Sequence, residues 1–396
     1  MTQTSATADE STGISRLWRD EYARGIILQL ALALGLLLFI AFIVSNTIAN
    51  LQSAGLAAGY GFLDDTASFD INQRLIEYAS TSTYGRAIVV GGLNTILVAA
   101  LGIVTATIIG FTAGVLRLSN NFLISRLITV YVEFTRNVPV LLQIIFWWVI
   151  LLALPKVRDS LHIGDSIFLN NSGISTPAPI FLEGWGYVLM AIAVGLIGTF
   201  AMARWARARQ EETGQTFPVA SAGLALIFGL PIVVFFAAGQ PLDWNFPVAN
   251  RFGRLRGGLT ITPELVALWL ALATYTGAFI SEIVRAGILS VSKGQTEAAH
   301  ALGLRPGLTT RKIVLPQALR VIIPPLTSQY LNLTKNSSLA VAIGYQDIVS
   351  IGDTVLNQSG QALEVISIFM AFYLTISLLT SAFMNWYNKH IALVER

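Results

Sequence analysis

Apolar runs of about twenty residues alternate with short polar stretches along the whole chain. About twenty apolar residues at 1.5 Å rise each span the ~30 Å hydrocarbon layer of a bilayer. Eight such segments are predicted, at about 25–44, 88–116, 127–154, 186–203, 220–238, 263–285, 316–333 and 363–386. The seventh is weak, because Pro324-Pro325 interrupts it and Asn332 lies near its end. The pattern predicts an all-α integral membrane protein, a polytopic bundle of about eight transmembrane helices spanning 25–396. Residues 1–24 are polar and mixed in charge, with no apolar core ahead of a small-residue cleavage site. They are expected to be a cytoplasmic tail and not a cleaved signal.

Charge orients this pattern. With the N-terminus inside, the cytoplasmic connections carry 15 Lys and Arg, among them Arg117, Arg126, Arg204, Arg207, Arg285, Lys293, Arg305 and Arg311. The external connections carry 8, among them Arg74, Arg86, Lys156, Arg256 and Lys335. Basic residues concentrate on the cytoplasmic side of membrane proteins, so both termini are expected in the cytoplasm.

Composition narrows the chemistry. The 396 residues are 54% hydrophobic and 12% charged, against roughly 25% charge in a soluble domain. There is no cysteine, and the three histidines, His162, His300 and His390, are scattered, so no metal constellation forms. The net charge of +3 gives no reason to expect nucleic acid as a partner. No Gly-x-x-x-x-Gly-Lys-Ser/Thr loop occurs, so the chain is not expected to hold ATP itself. No Ser/His/Asp or paired-carboxylate arrangement emerges, and an enzyme is not expected.

The connection after the sixth segment reads Gly294-Gln295-Thr296-Glu297-Ala298-Ala299-His300-Ala301-Leu302-Gly303, followed after nine residues by Ile313-Val314-Leu315-Pro316. Residues 297–302 are good helix formers. Thr296 or Gln295 is placed to cap them, Glu297 sits where the helix dipole favours an anion, and Gly303 suits a left-handed stop. Two to three turns are too short to be stable alone and call for a partner surface. The spaced pattern resembles the Glu-Ala-Ala loop of ATP-binding-cassette (ABC) importer permeases. That resemblance implies a cytoplasmic coupling helix within 294–310 that docks on a separate ATPase, with Gly294, Glu297, Ala298, Ala299, Gly303 and Arg305 as docking residues. It also implies a type I ABC importer permease core, with ATP and magnesium on the partner chain and no cofactor here.

Two further blocks strengthen the resemblance to polar amino-acid permeases. The first is Gly91-Gly92-Leu93-Asn94-Thr95 followed by Glu133-Phe134-Thr135-Arg136-Asn137-Val138-Pro139, with Gln143 four residues on. Glu133 and Arg136 share a helical face, about 10 and 15 Å along a straight helix from Arg126. Charges at that depth face a cavity or a partner, so a substrate path and an ion pair between two permease subunits both remain open. The second block carries Thr276, Ser281 and Glu282, then Lys335-Asn336-Ser337. A polar break between half-helices offers free backbone groups to a zwitterion. These residues form the candidate substrate path. Residues 157–262 look like an insertion that adds a helix pair to a five-segment permease.

The resemblance implies a binding-protein-dependent importer of polar L-amino acids in a bacterial inner membrane, for glutamate, glutamine, aspartate and asparagine or for a broad range. Its partners would be a homologous permease in a heterodimer, two ATPase subunits, a periplasmic amino-acid-binding protein and the lipid bilayer. The alternative is an ion-coupled secondary transporter or channel, which leaves the Glu-Ala-Ala spacing without a role.

Overall fold

The computed structural model describes residues 21–53, 59–164, 166–249 and 255–391. Most of the expected N-terminal tail lies outside these. Among the described residues six helices are long and apolar enough to cross a membrane, and two bent helix pairs bring the number to as many as eight. The long spans are α1 (Glu21–Ser53), α2 (Tyr84–Leu116), α5 (Trp185–Thr213), α6 (Val219–Ala237, with a π-helical turn at Ala225–Gly229), α7 (Pro263–Leu289) and α12 (Ala362–Ile391). The bent pairs are α3 (Phe122–Asn137) with α4 (Val140–Leu152), and α10 (Leu315–Asn336) with α11 (Ile348–Ser359). Between α7 and α10 lie two short helices, α8 (Lys293–Ala301) and α9 (Pro306–Thr309).

Helices α2 and α7 form the centre. Their most apolar windows are 56% and 61% buried, against 0% for α1, 17% for α5 and 6% for α12. Glycines let the two backbones approach. A Cβ on Gly277 would lie 2.9 Å from Cγ2 of Ile109, and one on Gly114 would lie 2.8 Å from the Ser281 carbonyl oxygen. Small residues at such seams allow the van der Waals packing that holds helices together in lipid. Around the seam Val98, Ala106, Leu268, Leu272 and Ile280 are buried, joined by Ile144 of α4 and Ile322 and Ile323 of α10.

The third segment is not the single rod expected over 127–154. It turns by 109° between α3 and α4. Pro139 supplies the physical reason: it has no N–H to continue the ladder, and it holds Val138 extended at φ −100°, ψ 128°. The Gln143 side chain spans the turn, donating from Nε2 to the carbonyls of Thr135 (2.9 Å) and Val138 (3.0 Å).

The seventh segment corrects the expectation in the other direction. Pro324 and Pro325 sit inside a continuous α10, which buried Ile322, Ile323 and Leu326 anchor despite the missing donors. The break comes later. After Asn336 the chain tightens into a 3₁₀ helix, Ser337–Ile343, passes Gly344 at φ 77°, and resumes as α11, inclined by 54° to the preceding run. The loop expected beyond 333 is therefore largely helix.

Helices α5 and α6 pack on each other through Gly195 and Gly223, where an added Cβ would meet the Leu226 carbonyl oxygen at 2.6 Å and Thr199 Cγ2 at 2.8 Å. Their flanks form strands that sequence periodicity did not predict: β1 (Leu161–Ile163), β2 (Ile167–Asn170), β3 (Gly173–Thr176), β4 (Ala178–Phe181), β5 (Leu242–Asn245), β6 (Val248–Ala249), β7 (Leu255–Arg256) and β8 (Leu259–Ile261). A four-stranded antiparallel sheet runs β1-β2-β3-β8, with Ser175 opposite Thr260, while β4 pairs β5 and β6 pairs β7. At two to four residues, these strands are too short to display alternation. The sheet ties the end of the third segment to the start of α7: the Asn171 N–H donates to the Pro155 carbonyl, and β8 ends two residues before Pro263.

The α2–α7 seam gives a direct test. Gly110→Leu places a side chain against Ile280 and the Gly277 carbonyl, and is expected to cost about 2 kcal/mol or more. A lower midpoint in thermal unfolding of the detergent-solubilised protein would register it. Gly35→Leu, where a Cβ meets nothing within 4 Å, is expected to leave the midpoint unchanged.

Candidate functional site

Helix α8 carries the Glu-Ala-Ala sequence. It begins at Lys293 after Ser292, whose side chain makes no capping bond. The helix thus starts earlier than a cap at Gln295 or Thr296 would give, and Glu297 lies in its second turn. Its end follows the expectation. Gly303 adopts φ 77°, its N–H donates to the His300 carbonyl (2.9 Å), and the Leu304 N–H reaches back to the Ala299 carbonyl (3.1 Å). This pair of bonds is a Schellman stop.

Only Ala299 of this helix is buried, at 2% exposure. Gly294, Glu297, Ala298, Gly303 and Arg305 are all exposed, so five of the six expected docking residues are free to meet a partner surface and Ala299 instead anchors the helix. Leu302 joins the exposed set at 81% exposure. It was not among the expected residues. Its signal was a large apolar side chain just before a helix-terminating glycine on an otherwise polar connection.

At the end of α7 nearest this helix, five charges from three segments meet. Glu282 is the hub. It accepts from Arg117 Nη1 and, through its other oxygen, from Arg285 Nη2 (2.5 Å), and Arg136 Nη1 lies 3.8 Å away. Arg117 also pairs with Glu133 at 3.7 Å. The Arg136 guanidinium stacks over the Phe279 ring, 5.3 Å from its centroid. Three guanidinium groups thus face two carboxylates. Arg117, with a side chain only 9% exposed, had been read only as a loop cation. It caps α2 and closes the network.

This geometry changes the depth expected for Glu133 and Arg136. A straight third segment would carry them ~10–15 Å into the crossing. The turn at Pro139 instead lays α3 beside the ends of α2 and α7, with Arg117 one residue beyond α2 and Glu282 about two turns from the end of α7. Glu133 is half exposed there, its side chain 55% accessible.

The remaining expected path residues divide. Gln143 braces the Pro139 turn. Thr276 and Ser281 are buried in the α7 core, and Ser281 Oγ has no hydrogen-bond partner. Lys335 is exposed, Asn336 half-buried and Ser337 buried, at the junction of α10 with the 3₁₀ turn. The Ser337 hydroxyl donates to the Thr334 carbonyl (2.8 Å). The charge network and this junction are therefore two separate places in the fold. At the second, α2 grips the break: Asn94 Nδ2 donates to the Gln346 carbonyl (2.9 Å), Thr95 Oγ1 accepts from the Ile348 N–H (3.1 Å), and Asp347 caps α11 by accepting from the Ser350 N–H (2.9 Å). Asn94 and Thr95 stood in the glycine-rich pattern, but their partners 252 and 253 residues away left no trace in it. No group of three or more metal-ligating side chains occurs among the described residues.

Residues 212–393 match the family model described as "Binding-protein-dependent transport system inner membrane component". The chain is 52% identical over 378 residues to the general L-amino acid transport system permease protein AapQ of Rhizobium johnstonii, covering 95% of this chain and 94% of that protein. It is 40% identical over 416 residues, 97% of each chain, to the glutamate/glutamine/aspartate/asparagine transport system permease protein BztB of Rhodobacter capsulatus. The glutamine transport system permease protein GlnP of Escherichia coli is 31% identical over 224 residues, 98% of its length but 56% of this chain. Among solved structures, an amino acid ABC transporter with histidines aligns at 18% identity and a TM-score of 0.45, over 78% of this chain and 95% of its own. The chain belongs to the family of binding-protein-dependent transport system inner membrane components, as a multi-pass permease of the amino-acid ABC transporter type.

Proposed function

We propose that this permease forms half of the translocation path of an ATP-driven importer of polar L-amino acids, and that α8 is its coupling helix. A periplasmic binding protein delivers the amino acid, a homologous permease completes the path as a heterodimer, and two ATPase subunits carry ATP and magnesium. The chain sits in the bacterial inner membrane with both termini in the cytoplasm. The substrate range spans acidic and amide amino acids, in keeping with the printed names of two long relatives. Residues 157–262 are read as an insertion that adds the helix pair α5–α6.

One observation carries the coupling assignment. A nine-residue helix with a Schellman stop presents Glu297, Ala298 and Leu302 outward and buries only Ala299. A helix that short gains stability from packing, and here most of its surface is left for another protein. Helix α8 then connects through α9 to the base of α10, so a push on α8 reaches both the charge network and the broken helix.

Two outcomes are expected. Gly303→Pro or Leu302→Asp leaves membrane insertion intact and lowers copurification of the ATPase by about tenfold, the effect of losing a hot-spot contact of ~1.4 kcal/mol. Normal pull-down and normal uptake together would show that α8 does not dock. At the charge network, Arg117→Ala removes a buried partner of Glu282 and costs about 2 kcal/mol in thermal unfolding, with uptake reduced. Glu133→Gln, at a half-exposed site, changes stability by less than ~0.5 kcal/mol. A fall in uptake for Glu133→Gln at unchanged stability and assembly would assign that carboxylate to the substrate path, and unchanged uptake would remove it.

A further inference from the structure

Between α1 and α2 the stretch Gly59–Thr83 forms a strap that lies over the far ends of α2, α11 and α12. A 3₁₀ turn (Tyr60–Asp64) opens it, and Thr83 closes it by accepting from the Arg86 N–H. Phe62, Ile71 and Tyr78 are buried in one cluster with Ile348, Ile351 and Val355 of α11 and Val365 of α12. Its outer face, including Asp64, Asp65 and Glu77, is exposed. Polar bonds fix its two ends: the Gly59 N–H donates to Glu364 Oε1 (3.0 Å), and Tyr84 Oη donates to Gln358 Oε1 (3.0 Å).

The strap is also bonded to the hinge of the broken helix. Gln346 sits in the short link between Gly344, at φ 77°, and the start of α11. Its side-chain Oε1 accepts from the Asn72 N–H (2.7 Å), and its Nε2 donates to the Asp70 carbonyl (3.2 Å). Its backbone carbonyl accepts from Asn94 Nδ2, which also donates to the Gln73 carbonyl (2.7 Å). One residue thus joins an extramembrane surface, the central helix α2 and the point where the path bends.

We propose that Gln346 is a positioning residue for transport, transmitting the contact of the binding protein with the strap to the break before α11. The apolar cluster makes strap and α11 move together, and the Gln346 side chain ties that motion to the hinge. Gln346→Ala removes both side-chain bonds to the strap. It leaves the Asn94 bracket on the backbone carbonyl and the Asp347 cap in place, so the fold has an independent hold on the same segment. This proposal rests on the importer reading.

The test uses the whole importer in nanodiscs with its partner permease, ATPase and binding protein, read as ATP hydrolysis with and without loaded binding protein. Gln346→Ala is expected to keep basal hydrolysis and to lose about fivefold of the increment caused by the binding protein. Gln346→Glu, which still accepts from Asn72 but cannot donate to Asp70, is expected to fall between. The chain has no cysteine, so the pair Asn72→Cys and Gln346→Cys, bridged by a short thiol crosslinker, is expected to regain the increment that the unbridged pair lacks. A wild-type increment in Gln346→Ala overturns the proposal. So does a parallel loss of basal hydrolysis in Gln346→Ala and in the unbridged cysteine pair that bridging the pair does not restore, since that marks a purely structural role. If the wild-type complex itself gives no increment, it is the importer reading that fails.

Discussion

The close approach of α2 and α7 is the contact on which the rest of the molecule depends. Lipid tails are as apolar as the side chains, so burial alone does not drive two helices together in a membrane. Gly110, Gly114 and Gly277 remove the side chains that would hold the backbones apart, and Ile109, Ile280 and Val284 fill the margins. At one end of this seam, Glu282 gathers the charges of Arg117, Arg136 and Arg285. At the other, Gly91 lets the Asp347 backbone lie against α2, where a Cβ would be 2.9 Å from its carbonyl oxygen.

Both bent segments are referred to this seam. The third segment turns at Pro139, lays α3 beside the Glu282 network and sends α4 along α7. The seventh runs unbroken through Pro324 and Pro325 and bends only beyond Asn336, where Asn94, Thr95 and Gln346 take up backbone groups that no helix satisfies. Backbone that departs from helix at such depth persists only when its polar groups find partners inside the protein. A movement that separates α3 from α7, or α11 from α2, is opposed by ion pairs in the first case and by hydrogen bonds in the second. The pair α5–α6 packs mainly on itself.

Helix count, approximate bounds and the short helix of the Glu-Ala-Ala connection were legible in the sequence because each is local. Twenty apolar residues, a run of helix formers and a glycine stop act over one element. The strands escaped notice because two to four residues, such as Val248–Ala249, carry no period. The Pro324-Pro325 pair misled because propensity was read without the packing of Ile322, Ile323 and Leu326 that overrides it. The network around Glu282 was half visible: Glu133, Arg136 and Glu282 stood out as charges among apolar residues, but Arg117 closes onto Glu282 across 165 residues. The grip of Asn94 on Gln346 is equally long-range, and only the fold brings the two together.

The central claim is that transport through this chain is driven by ATP hydrolysed on a partner docked at α8. Proteoliposomes holding the assembled importer, with binding protein outside and ATP inside, measure it directly as uptake of radiolabelled glutamate and glutamine in the presence of a proton uncoupler. The account predicts uptake that requires enclosed ATP and is indifferent to the uncoupler. Uptake by the chain without the ATPase, driven by an imposed ion gradient and abolished by the uncoupler, would contradict it.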